Sequence, residues 1–134
     1  MIQLPSAEGF EVLDEGTYPA KVENTENTTS KAGNPMVKVK LDINGVTVFD
    51  QIAITDKSLF RVRQVTDAIG LTKPGQKSAS LNVDTLEELS SLLTGAMEGQ
   101  SVTVSIVVDD SYDGKPRNKV DKYHPKQGIG LPLD

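Results

Sequence analysis

One strand-like segment followed directly by a tight turn constrains the fold of this sequence more than any other feature. From Val37 to Ile43 every second residue is apolar, and the residues between them are charged. A period of two places the apolar side chains on one face of a strand. Asn44-Gly45 follows at once, and it favours a two-residue hairpin because both positions tolerate a positive φ. We therefore predict a β-hairpin whose return strand runs from Val46 to about Ile54.

The return strand alternates as well, and its two faces differ in character. One face collects Val46, Val48, Ile52 and Ile54, and the other collects Thr47, Phe49, Gln51 and Ala53. Upstream, Tyr18, Ala20 and Val22 alternate with polar residues and predict a first, half-buried strand. The turn formers of the segment 24–35 predict a long exposed loop between the first and second strands.

Two helices and two further strands follow. The first helix is predicted from a cap at Asp56 to Gly70, and the second from Asp84, with Glu87 completing a capping-box-like pair. Alternation of Val102, Val104, Ile106 and Val108 predicts the fourth strand. After the turn signal Asp113-Gly114, residues 117–124 return as the fifth strand.

The predicted order of elements along the chain is three strands, a helical insertion and two further strands. This order is typical of a mainly β fold: a five-stranded antiparallel OB-like barrel with a helical insertion between strands 3 and 4. A β-sandwich or an open α+β sheet would give nearly the same pattern. We divide the chain into an N-terminal arm (1–15), the OB-like domain (16–126) and a C-terminal tail (127–134).

Composition excludes several kinds of site. The 134 residues suffice for one domain with its own core, and the absence of cysteine rules out disulfides and thiolate chemistry. His124 is the only histidine, and we interpret it as a surface residue rather than a metal ligand. A calcium loop starting at Asp109 fails because Val120 stands where a bidentate glutamate is needed. We expect no enzyme activity, no cofactor and no metal.

No signal-peptide pattern or bilayer-length apolar run is present, so we expect a cytoplasmic protein without a membrane partner. The chain is acidic, with 19 carboxylates against 14 lysines and arginines. Five of those cations nevertheless fall between Lys115 and Lys126. Such a cluster can bind a polyanion, although lysines on an edge strand also serve only to keep it soluble.

An OB-type barrel would bring that basic segment close to the lysines of the first two strands. Its first three strands and its strand 1–2 and 4–5 loops form the oligonucleotide-binding face. The nucleic-acid-binding residues predicted on this basis are Lys21, Lys31, Asn34, Lys38, Lys40, Tyr112, Lys115, Arg117, Lys119, Lys122 and Tyr123. Tyr112 and Tyr123 are assigned to base stacking, Phe49 and Phe60 to the core, and Tyr18 is left open between the two.

Several short motifs occur in an order found in a known group of proteins. They are Gly16-Thr17-Tyr18, residues 30–36, the strand 37–43, Phe49-Asp50, Asp67-Ala68-Ile69-Gly70, residues 93–99, Asp113-Gly114 and Asn118-Lys119-Val120. With these motifs the chain resembles small bacteriophage proteins of replication and recombination regions, a domain family formerly of unknown function. That group is regarded as related to phage single-stranded-DNA-binding proteins with OB-like folds. Unlike typical single-strand binders, this sequence has no acidic C-terminal tail, so we expect no recruitment of replication enzymes through one.

The resemblance and the basic residues lead to the same functional prediction. We predict a non-enzymatic protein that binds single-stranded DNA in phage replication or recombination, in the host cytoplasm. Lysines and arginines would contact phosphates, and tyrosines would stack on bases. Replication or recombination proteins and a second copy of the chain are further candidate partners. The alternative is a protein-interaction or assembly module, such as a virion-associated β-domain, that binds no nucleic acid.

Overall fold

A computed structural model describes residues 12–110, 114 and 116–126 of the chain. Its strands are β1 (Gly16–Thr29), β2 (Pro35–Ile43), β3 (Val46–Ala53), β4 (Ser101–Asp109) and β5 (Arg117–His124). A 3-10 turn (Asp56–Ser58) and two helices, α1 (Leu59–Ile69) and α2 (Leu86–Met97), separate β3 from β4. All five strands form one antiparallel sheet in the order β3-β2-β1-β4-β5. The mainly β fold, the five antiparallel strands and the position of the helical insertion are confirmed, and the strands that the structure describes form one sheet rather than the two of a sandwich.

The core lies on one face of this sheet, as the alternation predicted. All four apolar residues of β2 from Val37 to Ile43 are buried, and so are Val48, Ile52 and Ile54 of the return segment. Asn44 and Gly45 both have positive φ, 53° and 85°, so the hairpin turn is the predicted one. The apolar side of β4 is buried through Ile106, whereas Val108 is 37% exposed near the strand's end.

The first strand is longer than its sequence indicated, and the predicted loop 24–35 is therefore wrong. β1 continues to Thr29, and only Ser30–Asn34 form the turn. Polar residues remain in the strand because β2 supplies their backbone partners, from Asn24 opposite Lys40 to Thr29 opposite Pro35. Pairing with a neighbouring strand here overrides the low strand propensity of asparagine.

Both helices occur where predicted, but each begins differently. The segment before α1 starts at Thr55 rather than Asp56, since Thr55 and Ser58 form the reciprocal capping pair. For α2 the cap is Thr85 rather than Asp84: its hydroxyl accepts a hydrogen bond from the Glu88 amide, and the Glu88 carboxylate accepts one from the Thr85 amide. The sequence therefore correctly predicted a capping box at the start of α2, but its two residues lie one position later than predicted.

Side chains on α1 connect the two edge strands of the sheet. Arg61 donates to the backbone carbonyls of Asp121 (2.7 Å) and Val120 (3.0 Å), and its guanidinium lies 3.4 Å from the Asp50 carboxylate of β3. The buried Tyr123 of β5 donates its hydroxyl to the same carboxylate at 2.8 Å. Arg61 also covers the Tyr123 ring, 5.3 Å from its centroid. We call Asp50, Arg61 and Tyr123 the seam cluster.

The seam cluster makes stability depend on pH in the alkaline range. Burial, and then the charge of Asp50, raise the pKa of Tyr123 well above its usual value. The folded state therefore holds this proton more tightly than the unfolded chain. The resulting stabilisation is complete below pH ~10 and is lost as the pH rises toward the folded pKa, at up to about 1.4 kcal/mol per pH unit.

We expect Tyr123→Phe to remove this component. Denaturant unfolding from pH 8 to 11 measures it as the difference between the wild type and the variant, which cancels the other titrating groups. The wild type should lose stability more steeply than Tyr123→Phe above pH ~10. Parallel curves for the two proteins would contradict the assignment.

Candidate nucleic-acid interface

The face of β1, β2 and β3 that points away from the core carries a row of exposed side chains. The strand register places Asn24, Lys40 and Phe49 side by side on β1, β2 and β3. Residues directly opposite one another on such a face lie about 5 Å apart, close enough for their side chains to act together. We call these three residues the central row.

The Phe49 ring is the most unusual member of this row. Its side chain is 68% exposed, although phenylalanine belongs to the residues most often buried. Its neighbours along β3 on the same face, Thr47 and Gln51, are polar. Phe60 on α1 is exposed to nearly the same extent, 67%. The prediction that both rings lie in the core is therefore wrong.

Charge is distributed unevenly over this face. In the row on one side of the central row, Glu26 of β1 lies opposite Lys38 of β2. On the other side, Lys21 of β1 lies opposite Asp42 of β2. Each of these lysines thus has a carboxylate across from it, whereas Lys40 has only Asn24 and Phe49 in its row. Of these three lysines, the one without a carboxylate directly across from it is therefore the one beside the exposed ring.

The structure divides the predicted binding residues into separate groups. Lys21, Lys38 and Lys40 share the outward face of β1 and β2, while Lys31 and Asn34 lie in the turn that joins these strands. The cations on β5 are Arg117, Lys119 and Lys122, all of them exposed. In the order of the sheet, β1 and β4 lie between β2 and β5. Tyr112 and Lys115 lie outside the described residues.

The stacking role predicted for Tyr123 requires correction. The ring is fully buried, and its hydroxyl is occupied by Asp50. A base cannot reach a ring that the core encloses. Tyr18 is half-buried, packs against the core and donates its hydroxyl to the Asp14 carbonyl at 2.5 Å. Among the residues that the structure describes, the aromatic rings most open to a base are Phe49 and Phe60.

A signal for Phe49 was present in the sequence. The alternation along the return strand groups Phe49 with Thr47 and Gln51, which is the polar side. Phenylalanine as a residue type favoured the core, whereas the two-residue alternation of the strand placed Phe49 on the outward face. The alternation gave the correct position. Asn24 was missed for a different reason: it fell in the predicted loop, and only pairing with β2 makes it part of the face.

Other kinds of site find no support in the described part of the chain. Over residues 12–110, 114 and 116–126, no group of three or more His, Asp or Glu side chains is placed to hold a metal ion. No helix within those same residues is long and apolar enough to cross a membrane. The exposed central row thus stands as the candidate site of this sheet.

These features define a class of small, mainly β protein with a single antiparallel sheet and a helical insertion. The chain matches the family model described as "Protein of unknown function (DUF669)" over residues 4–130. Since this match omits only the first three and last four residues, the chain belongs to that family. A comparison with curated proteins yields no match. The family description assigns no activity, so the geometry carries the functional argument.

Proposed function

We propose that this protein binds single-stranded DNA, without catalysis, on the outward face of β1, β2 and β3. The observation that carries the proposal is the central row, in which the exposed Phe49 ring lies beside Lys40 and Asn24. An aromatic ring can stack on any base, and an adjacent ammonium can contact the phosphate that follows it. Asn24 adds an amide that can donate to a sugar or phosphate oxygen.

We further infer that the sheet closes into an OB-type barrel. Successive antiparallel pairings make β3 and β5 run in the same direction at the two edges of the sheet. The seam cluster joins those edges through Arg61 and through the hydrogen bond from Tyr123 to Asp50. The strand order β3-β2-β1-β4-β5 then corresponds to a five-stranded Greek-key barrel, whose strand 2–3 face binds oligonucleotides. The central row lies on that face.

Binding through this face would depend on both stacking and charge. One stacked base contributes about 1–3 kcal/mol, and Phe49 offers a single ring. Further affinity must come from phosphate contacts made by Lys40, Lys38 and Lys21. We therefore propose moderate, sequence-tolerant and strongly salt-dependent binding. Because of the resemblance to phage proteins, we propose that this activity serves replication or recombination, with the proteins of those processes as candidate partners.

Fluorescence anisotropy with labelled single- and double-stranded oligonucleotides at several salt concentrations tests the proposal. We expect the protein to prefer single strands and to lose affinity as salt increases. A lack of binding to either probe at low salt would contradict the proposal and favour the protein-interaction alternative.

Lys40→Ala should weaken single-strand binding and flatten its salt dependence. The slope of log K against log salt is negative, and the loss of one phosphate contact reduces its magnitude by about 0.7. Lys77→Ala is the matched control, because it removes the same charge from the exposed connection between α1 and α2. Equal slopes for Lys40→Ala and the wild type would remove Lys40 from the interface.

A further inference from the structure

A cleft lies on the part of the sheet's outward surface formed by β4 and β5. It has a volume of about 400 Å³, within the range of small-molecule sites. Its lining residues are Thr17, Ala68, Ser101, Thr103, His124, Pro125 and Lys126. None of them carries a carboxylate, although the chain as a whole has a net charge of −5. We call this site the hydroxyl cleft.

Three hydrogen-bond donors of the hydroxyl cleft have no partner in the described part of the chain. The hydroxyls of Ser101 and Thr103 make no hydrogen bond there, and the Lys126 ammonium makes neither a hydrogen bond nor an ion pair. Ser101 and Thr103 point to the same side of β4 because they are two residues apart. Lys126 follows β5 and lies beside the C-terminal part of α1. There the Lys126 amide donates a hydrogen bond to the Asp67 carbonyl at 3.0 Å.

A fourth polar group in the cleft is held in place by its neighbours. The His124 Nε2 and the Ser105 hydroxyl are 2.6 Å apart, and that hydroxyl lies 3.3 Å from the Thr17 hydroxyl. This chain of contacts fixes the imidazole on the outward side of β5, opposite Thr103. The nearby Asp67 carboxylate does not line the cleft, since it accepts hydrogen bonds from Arg63 and Thr72.

We propose that the hydroxyl cleft binds a phosphoryl group. Hydroxyls and a lysine ammonium are among the side-chain donors that proteins direct at phosphate oxygens. A cation would find no carboxylate in the lining and would be repelled by Lys126. The site differs from the central row but adjoins the same face, because Ser101 pairs with Lys21 of β1. The phosphoryl group can come from a DNA strand that crosses Lys21 or from a free nucleotide.

NMR titration of the full chain with inorganic phosphate, thymidine monophosphate and oligothymidylate of about 12 nucleotides, at constant ionic strength, tests this site. We expect the amide signals of Ser101, Thr103 and His124 to shift. Shifts with phosphate or the mononucleotide identify a free phosphoryl ligand, and shifts with the oligonucleotide alone identify the strand backbone. Both results support the cleft; no shift at these amides with any of the three titrants overturns it.

Variants separate this site from the proposed DNA interface. Thr103→Val and Lys126→Ala change exposed side chains, and together they should weaken phosphoryl binding by about tenfold or more. Lys77→Ala should bind as the wild type does. Phe49→Ala should keep the shifts caused by phosphate or the mononucleotide, even where it abolishes oligonucleotide binding. Wild-type affinity for phosphate in the double variant would overturn the proposal. Thr103→Val by itself should also weaken binding, and it does so without a change in the charge of the protein.

Discussion

Phe49→Ala should lower the affinity for single-stranded DNA by about 5- to 150-fold, the equivalent of one stacked base. The fold should tolerate the change, because a ring that is 68% exposed contributes little to the core. We expect the free energy of unfolding to change by less than about 0.5 kcal/mol. Anisotropy titration measures the first effect, and denaturant unfolding measures the second. The loss of affinity should persist at high salt, since stacking does not depend on counterion release.

Phe60→Ala provides a matched control for this prediction. Phe60 is the same residue type with nearly the same exposure, but it lies on α1 rather than on the sheet face. We expect its affinity to stay close to that of the wild type. Equal losses for the two variants, or no loss for Phe49→Ala, would contradict the role of the central row.

A direct optical test is available because the chain contains no tryptophan. Phe49→Trp keeps an aromatic ring in the central row and introduces the protein's single indole. We expect this variant to bind single strands and its fluorescence to be quenched when bases stack on the ring. Phe60→Trp should bind equally well with little quenching. Quenching confined to Phe60→Trp would move the proposed interface to α1.

Arg61→Ala should be among the most destabilising single changes outside the apolar core. It removes two hydrogen bonds to carbonyls of β5 and leaves the Asp50 carboxylate with Tyr123 as its remaining seam partner. Hydrogen bonds from charged groups and broken, partly buried ion pairs together suggest a cost of about 2–4 kcal/mol. Arg61→Lys should restore little of this, since an ammonium cannot reproduce the planar fork that reaches both carbonyls.

Hydrogen exchange locates the damage in this variant. If the seam cluster joins the edges of the sheet, Arg61→Ala should reduce amide protection first in β3 and β5. Arg63→Ala removes the same charge from the same helix, but Arg63 holds the carbonyls of Lys73 and Gln76. Its effect should fall on the connection after α1. Unchanged protection of β3 and β5 in Arg61→Ala would contradict the closing role of the cluster.

Local pattern predicted the elements of this fold well where the apolar period was strict. β2, its Asn-Gly turn and the bounds of β5 could be read from the sequence because alternation and turn chemistry are local properties. The second half of β1 could not be predicted in this way. Its polar residues become a strand only through pairing with β2, which is a property of the tertiary structure.

The candidate site divides along the same line. Lys38 and Lys40 were placed correctly on the outward face because they alternate with a buried row. Tyr123 was predicted incorrectly because residue type alone does not reveal that this side chain of a basic strand points into the core. There its hydroxyl donates a hydrogen bond to the Asp50 carboxylate. Phe49 was misplaced in the opposite direction, although its period placed it outside.

The alternating strand from Val37 to Ile43 and its turn were determined by sequence alone, since backbone geometry turns a period of two into a two-faced strand. The tertiary structure decided what those faces meet. The register with β1 and β3 placed Asn24 and Phe49 beside Lys40, and α1 brought Arg61 between the two sheet edges. These contacts join residues far apart in the chain, and no local pattern encodes such distances.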